Sequence, residues 1–118
     1  MSLLKAIGIL FVGLLVLIVA AFFLYEPVVN VDTLADCLTE KGVKMAGADW
    51  CGACKEQKSM FGDSFAKIDY KNCDYEEQWC LDNGITLFPT WVFSDGTQYR
   101  GVQNLGFLQE KAECGLVA

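Results

Sequence analysis

The stretch from Gly47 to Gln57, GADWCGACKEQ, contains two cysteines, Cys51 and Cys54, with two residues between them. Three kinds of chemistry use such a pair: thiol-disulfide exchange, one half of a metal site, or a structural bridge. If a helix begins at Cys51, its unpaired backbone N–H groups stabilise negative charge on that sulfur. Cys54 then lies one turn inside the same helix, where it can resolve a mixed disulfide.

The two other kinds of chemistry fit less well. A bridge between Cys51 and Cys54 closes so short a loop that it constrains the unfolded chain very little. A zinc site needs about four ligands, and the chain has no histidine. An all-thiolate site with Cys73 and Cys80 is conceivable, but their spacing is wider than zinc sites use. We therefore predict redox chemistry at Cys51 and Cys54, with no metal and no other cofactor.

A long apolar segment precedes this pair. From Ala6 to Tyr25 the chain is uncharged and almost entirely apolar, which is the length that a helix needs to cross about 30 Å of hydrocarbon. A cleaved signal peptide is the alternative, since small residues at Ala20 and Ala21 offer a cleavage site. Its apolar core is usually only about 7 to 15 residues long, however. We predict that residues 1–26 are a transmembrane anchor and that residues 27–118 form one domain.

Charge and cysteine content indicate where this domain works. Lys5 precedes the apolar segment and Glu26 follows it, so the positive-inside rule places the N-terminus in the cytoplasm and the domain outside. Six cysteines in a short domain are typical of an oxidising compartment. The net charge of -6 argues against nucleic acid as a partner. We predict a single-pass protein of the cell membrane with its domain outside the cytoplasm.

The four other cysteines are expected to form structural disulfides. Cys73 and Cys80 are close enough in sequence for a local bridge, worth about 2.5 kcal/mol from loop entropy. A second redox relay is the alternative for this pair. By elimination Cys37 then pairs with Cys114, unless both thiols stay free, and that long loop is worth about 4.5 kcal/mol.

Helix and strand signals alternate along the domain. A first helix is predicted from Asp32, as its N-cap, to Gly42, followed by a strand from Val43 to Ala48. The helix that begins at the cysteine pair is predicted to end near Gly62. Next come a strand from Phe65 to Tyr70 and a helix that a capping box of Asp74 and Glu77 begins and Gly84 closes.

The last third of the chain contains a hairpin and a final helix. Thr90 to Ser94 and Thr97 to Arg100 flank an Asp95-Gly96 turn. Leu105, Leu108 and Ala112 then recur at helical spacing. Alternating helices and strands with one terminal hairpin predict an α/β fold, a central mixed sheet with helices on both faces.

Two motifs resemble the thioredoxin superfamily. WCGACK resembles the active-site motif of that family, and GITLFPTWVFSDG resembles the later segment in which a cis proline faces the cysteines. The similarity covers Val31 to Gly115 and implies a thioredoxin-like fold whose first strand is reduced or absent. It also implies that the backbone beside Phe88 and cis Pro89 binds an extended substrate segment, and Trp50 is expected to offer that substrate an apolar contact.

Within the superfamily, KMAGADWCGAC and the additional pair Cys73 and Cys80 are most similar to thioredoxin-like or DsbA-like, membrane-anchored partners of vitamin K epoxide reductase homologues. Those proteins work in disulfide formation outside the cytoplasm. The chain departs from thioredoxin at Met45, where thioredoxin has a buried aspartate that assists proton transfer. Gly52-Ala53 also replaces the Pro-His of strongly oxidising DsbA proteins, so a less extreme oxidant is expected.

The resulting functional prediction is a membrane-anchored, extracytoplasmic thiol-disulfide oxidoreductase. It is expected to oxidise cysteines of protein substrates and to be reoxidised by a quinone-linked membrane partner of the vitamin K epoxide reductase type. One alternative runs the same chemistry backwards, as a disulfide reductase in cytochrome maturation or repair. The other is a disulfide-stapled binding module without turnover.

Overall fold

The N-terminal segment forms one long helix that stands apart from the rest of the chain. The computed structural model describes residues 2–25 and 29–115, so the predicted domain boundary at residue 26 lies outside the described residues. Helix α1, Ser2–Leu24, is long and apolar enough to cross a membrane, and none of its described residues is buried. An almost entirely apolar helix needs apolar surroundings, which the described part of the protein does not give it, so α1 remains a candidate membrane span.

Helix α2, Val31–Glu40, begins two residues earlier than predicted, since a helix capped by Asp32 would start at Thr33. Its N-cap is Asn30, whose side-chain oxygen accepts a hydrogen bond from the Thr33 N–H at 3.1 Å, so the prediction of Asp32 as N-cap is wrong. Asp32 instead lies in the first turn, where its carboxylate forms an ion pair with Lys67 at 2.8 Å. A carboxylate in the first turn also suits the positive end of the helix dipole.

Four short strands form a mixed sheet in the order β2-β1-β3-β4. They are β1, Lys44–Gly47, β2, Asp69–Asn72, β3, Thr90–Val92, and β4, Gln98–Arg100. Strand β1 runs parallel to β2 and antiparallel to β3, and β3 and β4 form the predicted hairpin. Within residues 2–25 and 29–115 no strand precedes β1. The predicted fold class, a thioredoxin-like α/β fold without its first strand, is confirmed by this topology.

Helices cover both faces of the sheet. The register places Met45, Tyr70 and Trp91 side by side on one face, and helix α3, Gly52–Phe61, packs there with the Phe61 ring 5.9 Å from that of Trp91. Helix α5, Leu105–Lys111, joins the same face. Helix α4, Glu77–Asp82, lies on the opposite face, where Lys71 Nζ is 5.8 Å from the Trp79 ring.

Two predicted boundaries are wrong. The segment predicted as a strand from Phe65 to Tyr70 begins as a 3₁₀ helix, Gly62–Lys67, and extends only from Asp69. The Phe65 ring packs edge-on against both Phe61 and Tyr70, which a compact turn allows and an extended strand does not. The predicted Asp74 capping box is also absent. Helix α4 starts after Glu76, which makes no side-chain capping bond in the described part of the chain.

One buried amide fixes helix α3 to the sheet. Gln57 is fully buried, and its side-chain oxygen accepts hydrogen bonds from Trp91 Nε1 at 3.0 Å and from the Gln103 N–H at 2.7 Å. Its side-chain nitrogen donates to the Gln103 carbonyl at 3.0 Å. A buried amide with its oxygen and nitrogen both bonded holds its surroundings in one arrangement. Helix α3, which begins just after Cys51, is therefore held against the sheet at its middle.

Candidate redox site

Cys51 is the N-cap of helix α3. Its backbone is extended, with φ −79° and ψ 118°, and its sulfur accepts a hydrogen bond from the Cys54 N–H at 3.2 Å. The same sulfur lies 3.7 Å from the Phe88 carbonyl oxygen, to which a thiol can donate. Unpaired N–H groups at a helix start favour negative charge on the capping atom. The Cys51 sulfur therefore lies between a donor, the Cys54 N–H, and an acceptor, the Phe88 carbonyl.

Cys54 lies behind Cys51 and is fully buried. Burial and, to a smaller extent, the hydrogen bond with Cys51 together raise the pKa of the Cys54 thiol to about 11. The sulfur sits against Gly47 of β1, where a methyl group would come within 2.8 Å of it. Real carbon atoms essentially never approach that closely, so this position requires glycine. Cys51 is also buried, with 7% of its surface exposed, so the attacking and resolving roles of Cys51 and Cys54 stay a prediction.

The position that precedes Cys51 by six residues is apolar. Met45 is fully buried in β1, as its place in the core requires. The nearby Asp49 is exposed and its carboxylate pairs with Lys58 Nζ at 3.6 Å. Met45 itself therefore provides no carboxylate that could exchange a proton with Cys54.

A second loop faces the cysteines. The Phe88–Pro89 peptide bond is cis, and Pro89 is buried just before β3. Trp50 is 68% exposed, and its ring meets that of Phe88 edge-on with 5.9 Å between centroids. The structure thus brings Phe88, which is 37 residues from Cys51 in sequence, next to Trp50 and Cys51.

Both remaining cysteine pairs are joined in the structure. Cys73 bonds to Cys80 across 7 residues, and Cys37 bonds to Cys114 across 77. The longer bridge ties helix α2 to the end of α5. Cys51 and Cys54 are free thiols.

Two residues that the sequence analysis did not single out also belong to this site. The Tyr70 hydroxyl is buried and has no hydrogen-bond partner among the residues that the structure describes. Lys58 Nζ lies 4.0 Å from the centre of the Tyr70 ring. The i, i+4 spacing of Cys54 and Lys58 is a signal that could have found the lysine. Tyr70 had no such signal, because only the register of β1 and β2 brings it here.

Comparison with known proteins gives few relatives. No family model matches the chain. The thiol-disulfide oxidoreductase LTO1 of Arabidopsis thaliana is 42% identical over 71 residues, which cover 52% of this chain and 19% of that protein. The chain thus spans about a fifth of the length of this curated relative.

Two solved thioredoxin structures are similar at a lower level. The X-ray structure of Fasciola hepatica thioredoxin matches with a TM-score of 0.47 and 24% identity, over 65% of this chain and 86% of that one. The solution structure of oxidised Plasmodium falciparum thioredoxin matches with a TM-score of 0.43 and 20% identity, over 70% and 86%.

Proposed function

We propose that the protein is a thiol-disulfide oxidoreductase whose reactive pair is Cys51 and Cys54. The observation that carries this proposal is the position of the Cys51 sulfur, which caps helix α3, lies beneath the Phe88 carbonyl and has Cys54 buried directly behind it. Disulfide exchange needs these features together, a stabilised thiolate and a resolving thiol within reach. The name of the Arabidopsis relative supports the same activity.

The proposed reaction transfers a disulfide to a substrate. A substrate thiolate attacks Cys51, the Cys51–Cys54 bond breaks, and its electron pair passes to Cys54. A second substrate thiolate then attacks the substrate sulfur of the mixed disulfide and releases Cys51. The substrate loses two electrons, which remain on the reduced cysteine pair.

The resolving thiol favours the oxidising direction. Because burial raises the pKa of Cys54 to about 11, few molecules carry a Cys54 thiolate at neutral pH. A mixed disulfide on Cys51 is then left long enough for the second thiol of the substrate to attack it. A reductase needs the opposite, rapid attack by Cys54. The apolar Met45 beside this site supports the same direction, since it offers Cys54 no proton acceptor.

Substrate binding is proposed at the surface formed by Trp50, Phe88 and Pro89. The exposed Trp50 ring offers an apolar contact next to Cys51. The backbone of Phe88, before Pro89, offers hydrogen bonds to an extended chain, as in strand addition, whereas Thr90 after it is paired within the sheet. Cysteine-containing segments of unfolded proteins have the chemistry that this surface requires.

The proposed location is the outer face of the cell membrane. In this proposal helix α1 spans the membrane as part of an anchor at residues 1–26, with the N-terminus in the cytoplasm. The domain of residues 27–118 then lies in an oxidising space, where its two disulfides are stable. A quinone-linked membrane enzyme of the vitamin K epoxide reductase type reoxidises the pair. Confinement of both proteins to one membrane raises their effective concentration.

Oxidation of a reduced dithiol peptide by the full chain in detergent micelles tests the activity. We expect the wild type to oxidise the peptide and Cys51→Ser to reduce the rate to that of buffer alone, whereas a wild type no faster than buffer would identify a binding module instead. The reduction potential of the pair tests the direction. A value above about −200 mV supports the oxidising role, and one near about −270 mV would identify a reductase.

Trapping tests the partner. Cys54→Ser cannot resolve the mixed disulfide, so it should accumulate covalent complexes that a reductant releases. We expect a multi-spanning quinone-linked enzyme among them, and the double variant Cys51→Ser/Cys54→Ser is the control that traps none. Complexes with soluble reductases alone would contradict the proposed partner.

A further inference from the structure

The Tyr70 hydroxyl is a buried polar group without a use in the mechanism above. It is shielded from solvent and has no hydrogen-bond partner within the described residues. Nearly all buried hydroxyls in native proteins have such a partner, so an orphan calls for an explanation. A partner that exists only during the reaction is one explanation, and the surroundings of Tyr70 indicate which atom it is.

Tyr70 and Cys54 border the same small space. A methyl group on Gly47 would lie 2.8 Å from the Cys54 sulfur and 3.4 Å from the Tyr70 hydroxyl oxygen. Because Gly47 has no side chain, none separates the Cys54 sulfur from the Tyr70 hydroxyl oxygen. Met45, which the register places directly beside Tyr70, has no acidic or hydroxyl group to fill this role.

The phenol stays protonated and can act as a donor. Burial raises the pKa of Tyr70 to about 12, and the negative groups that face it, Asp49, Asp74 and both thiols of the pair, act in the same direction. The one cation against the ring is Lys58, among the residues the structure describes, and it is itself paired with Asp49. Negative charge on Cys54 thus strengthens the hold of Tyr70 on its proton.

We propose that Tyr70 is a catalytic hydrogen-bond donor, whose hydroxyl bonds to the Cys54 sulfur while that sulfur carries the negative charge. The proposal rests on the proposed function, since it concerns the same exchange reaction. When a thiolate attacks Cys51, the electron pair of the breaking bond passes to Cys54, and Tyr70 shares its proton with the new thiolate without losing it. In the reverse reaction, the same hydrogen bond stabilises the Cys54 thiolate that attacks the mixed disulfide on Cys51. The thiolate finally takes a proton from water.

The test is a two-phase reaction of the reduced full chain, in detergent micelles, with an aromatic disulfide that releases one coloured thiolate at each step. The first release reports attack by Cys51, and the second reports resolution by Cys54. A hydrogen bond to a charged group moves a pKa by about one to two units. Because a less acidic thiolate is also a better nucleophile, the rate changes less than the thiolate population does.

For Tyr70→Phe we expect the second phase to be about 3- to 10-fold slower at neutral pH, with its pH profile displaced upward by about one to two units. The first phase should stay within about twofold of the wild-type rate. Thermal unfolding should be unchanged or slightly improved, because the variant removes an unbonded buried hydroxyl. Tyr99→Phe makes the same deletion at another half-buried tyrosine, and both of its phases should match the wild type.

Three outcomes would overturn the inference: an unchanged second phase in Tyr70→Phe, equal slowing of both phases, or the same slowing in Tyr99→Phe. Failure of the proposed function would look different. The wild-type chain would then release neither coloured thiolate faster than Cys51→Ser does, and Tyr70 would not enter the result.

Discussion

Two cysteine pairs, each close in sequence, lie near each other in this protein. Cys51 and Cys54 are free thiols, whereas Cys73 and Cys80 form a disulfide. The redox turn, residues 49–54, places Cys51 at the start of helix α3 beneath the Phe88 carbonyl. The stapled loop, residues 73–80, ends within α4 and is closed by its own disulfide. The loops touch, because Trp50 Nε1 donates a hydrogen bond to the Asp74 carboxylate at 3.4 Å. The two pairs therefore differ in their surroundings, and in the proposed function a helix start and a facing loop are what make Cys51 and Cys54 the reactive pair.

Removing the stapled loop's disulfide is the sharpest way to break this comparison. Cys73→Ser/Cys80→Ser should keep turnover within about threefold, whereas Cys51→Ser removes it, because only the Cys51 sulfur caps a helix and faces the Phe88 carbonyl. Rates of dithiol-peptide oxidation measure both. A loss of turnover in the double variant at a temperature where it stays folded would assign the loop a relay role.

The two structural disulfides should differ in their effect on stability. Loop entropy predicts that Cys37→Ser/Cys114→Ser lowers the free energy of unfolding by about 4.5 kcal/mol and Cys73→Ser/Cys80→Ser by about 2.5 kcal/mol. Denaturant unfolding of the full chain in micelles measures both values. The reverse order would mean that the local bridge holds the stapled loop against the redox turn by more than entropy.

The free energy of unfolding should depend on pH through the buried Cys54 thiol. Burial raises the pKa of Cys54 from 9.0 to about 11, so the unfolded state releases this proton first as the pH rises. The stability that this thiol contributes is complete below pH 9.0 and is lost by about pH 11. Tyr70 adds a similar loss at somewhat higher pH.

Cys54→Ser is the comparison that isolates the thiol, because it retains both Cys51 and Tyr70. Thermal unfolding of the reduced wild type and of this variant should diverge as the pH rises above 9.0. Parallel curves over that range would show that Cys54 is more accessible to solvent than its complete burial indicates.

The smallest expected effect concerns the residue that connects the two regions. Trp50 Nε1 donates to Asp74 in the stapled loop at 3.4 Å, and its ring packs on Phe88. Trp50→Ala should raise KM for peptide substrates a few-fold and leave kcat nearly unchanged, because an exposed ring contributes to binding and not to the reacting sulfur. Asp74→Asn, which keeps the side-chain oxygen, is the matched control. A fall in kcat alone would contradict a binding role.

Much of the fold and site follows from local patterns. The Asp95-Gly96 turn, the helical spacing of Leu105 and Leu108, and Gly62 at the end of helix α3 each carry their signal within a few residues. Local competition explains the errors. Asn30, not Asp32, is the N-cap, because the backbone at Asn30 is extended. The Asp32 carboxylate instead accepts a hydrogen bond from Lys67, which is 35 residues away.

The sequence by itself determined the chemistry, because a thiol pair at a helix start, a proline before a strand and an apolar segment are each read within one stretch of chain. Only the tertiary structure decided the surroundings of Cys54. The register of β1 and β2 places the Tyr70 hydroxyl beside the space at Gly47. That placement depends on strand pairing between distant segments, and pairing of this kind leaves no mark on the spacing of residues along the chain.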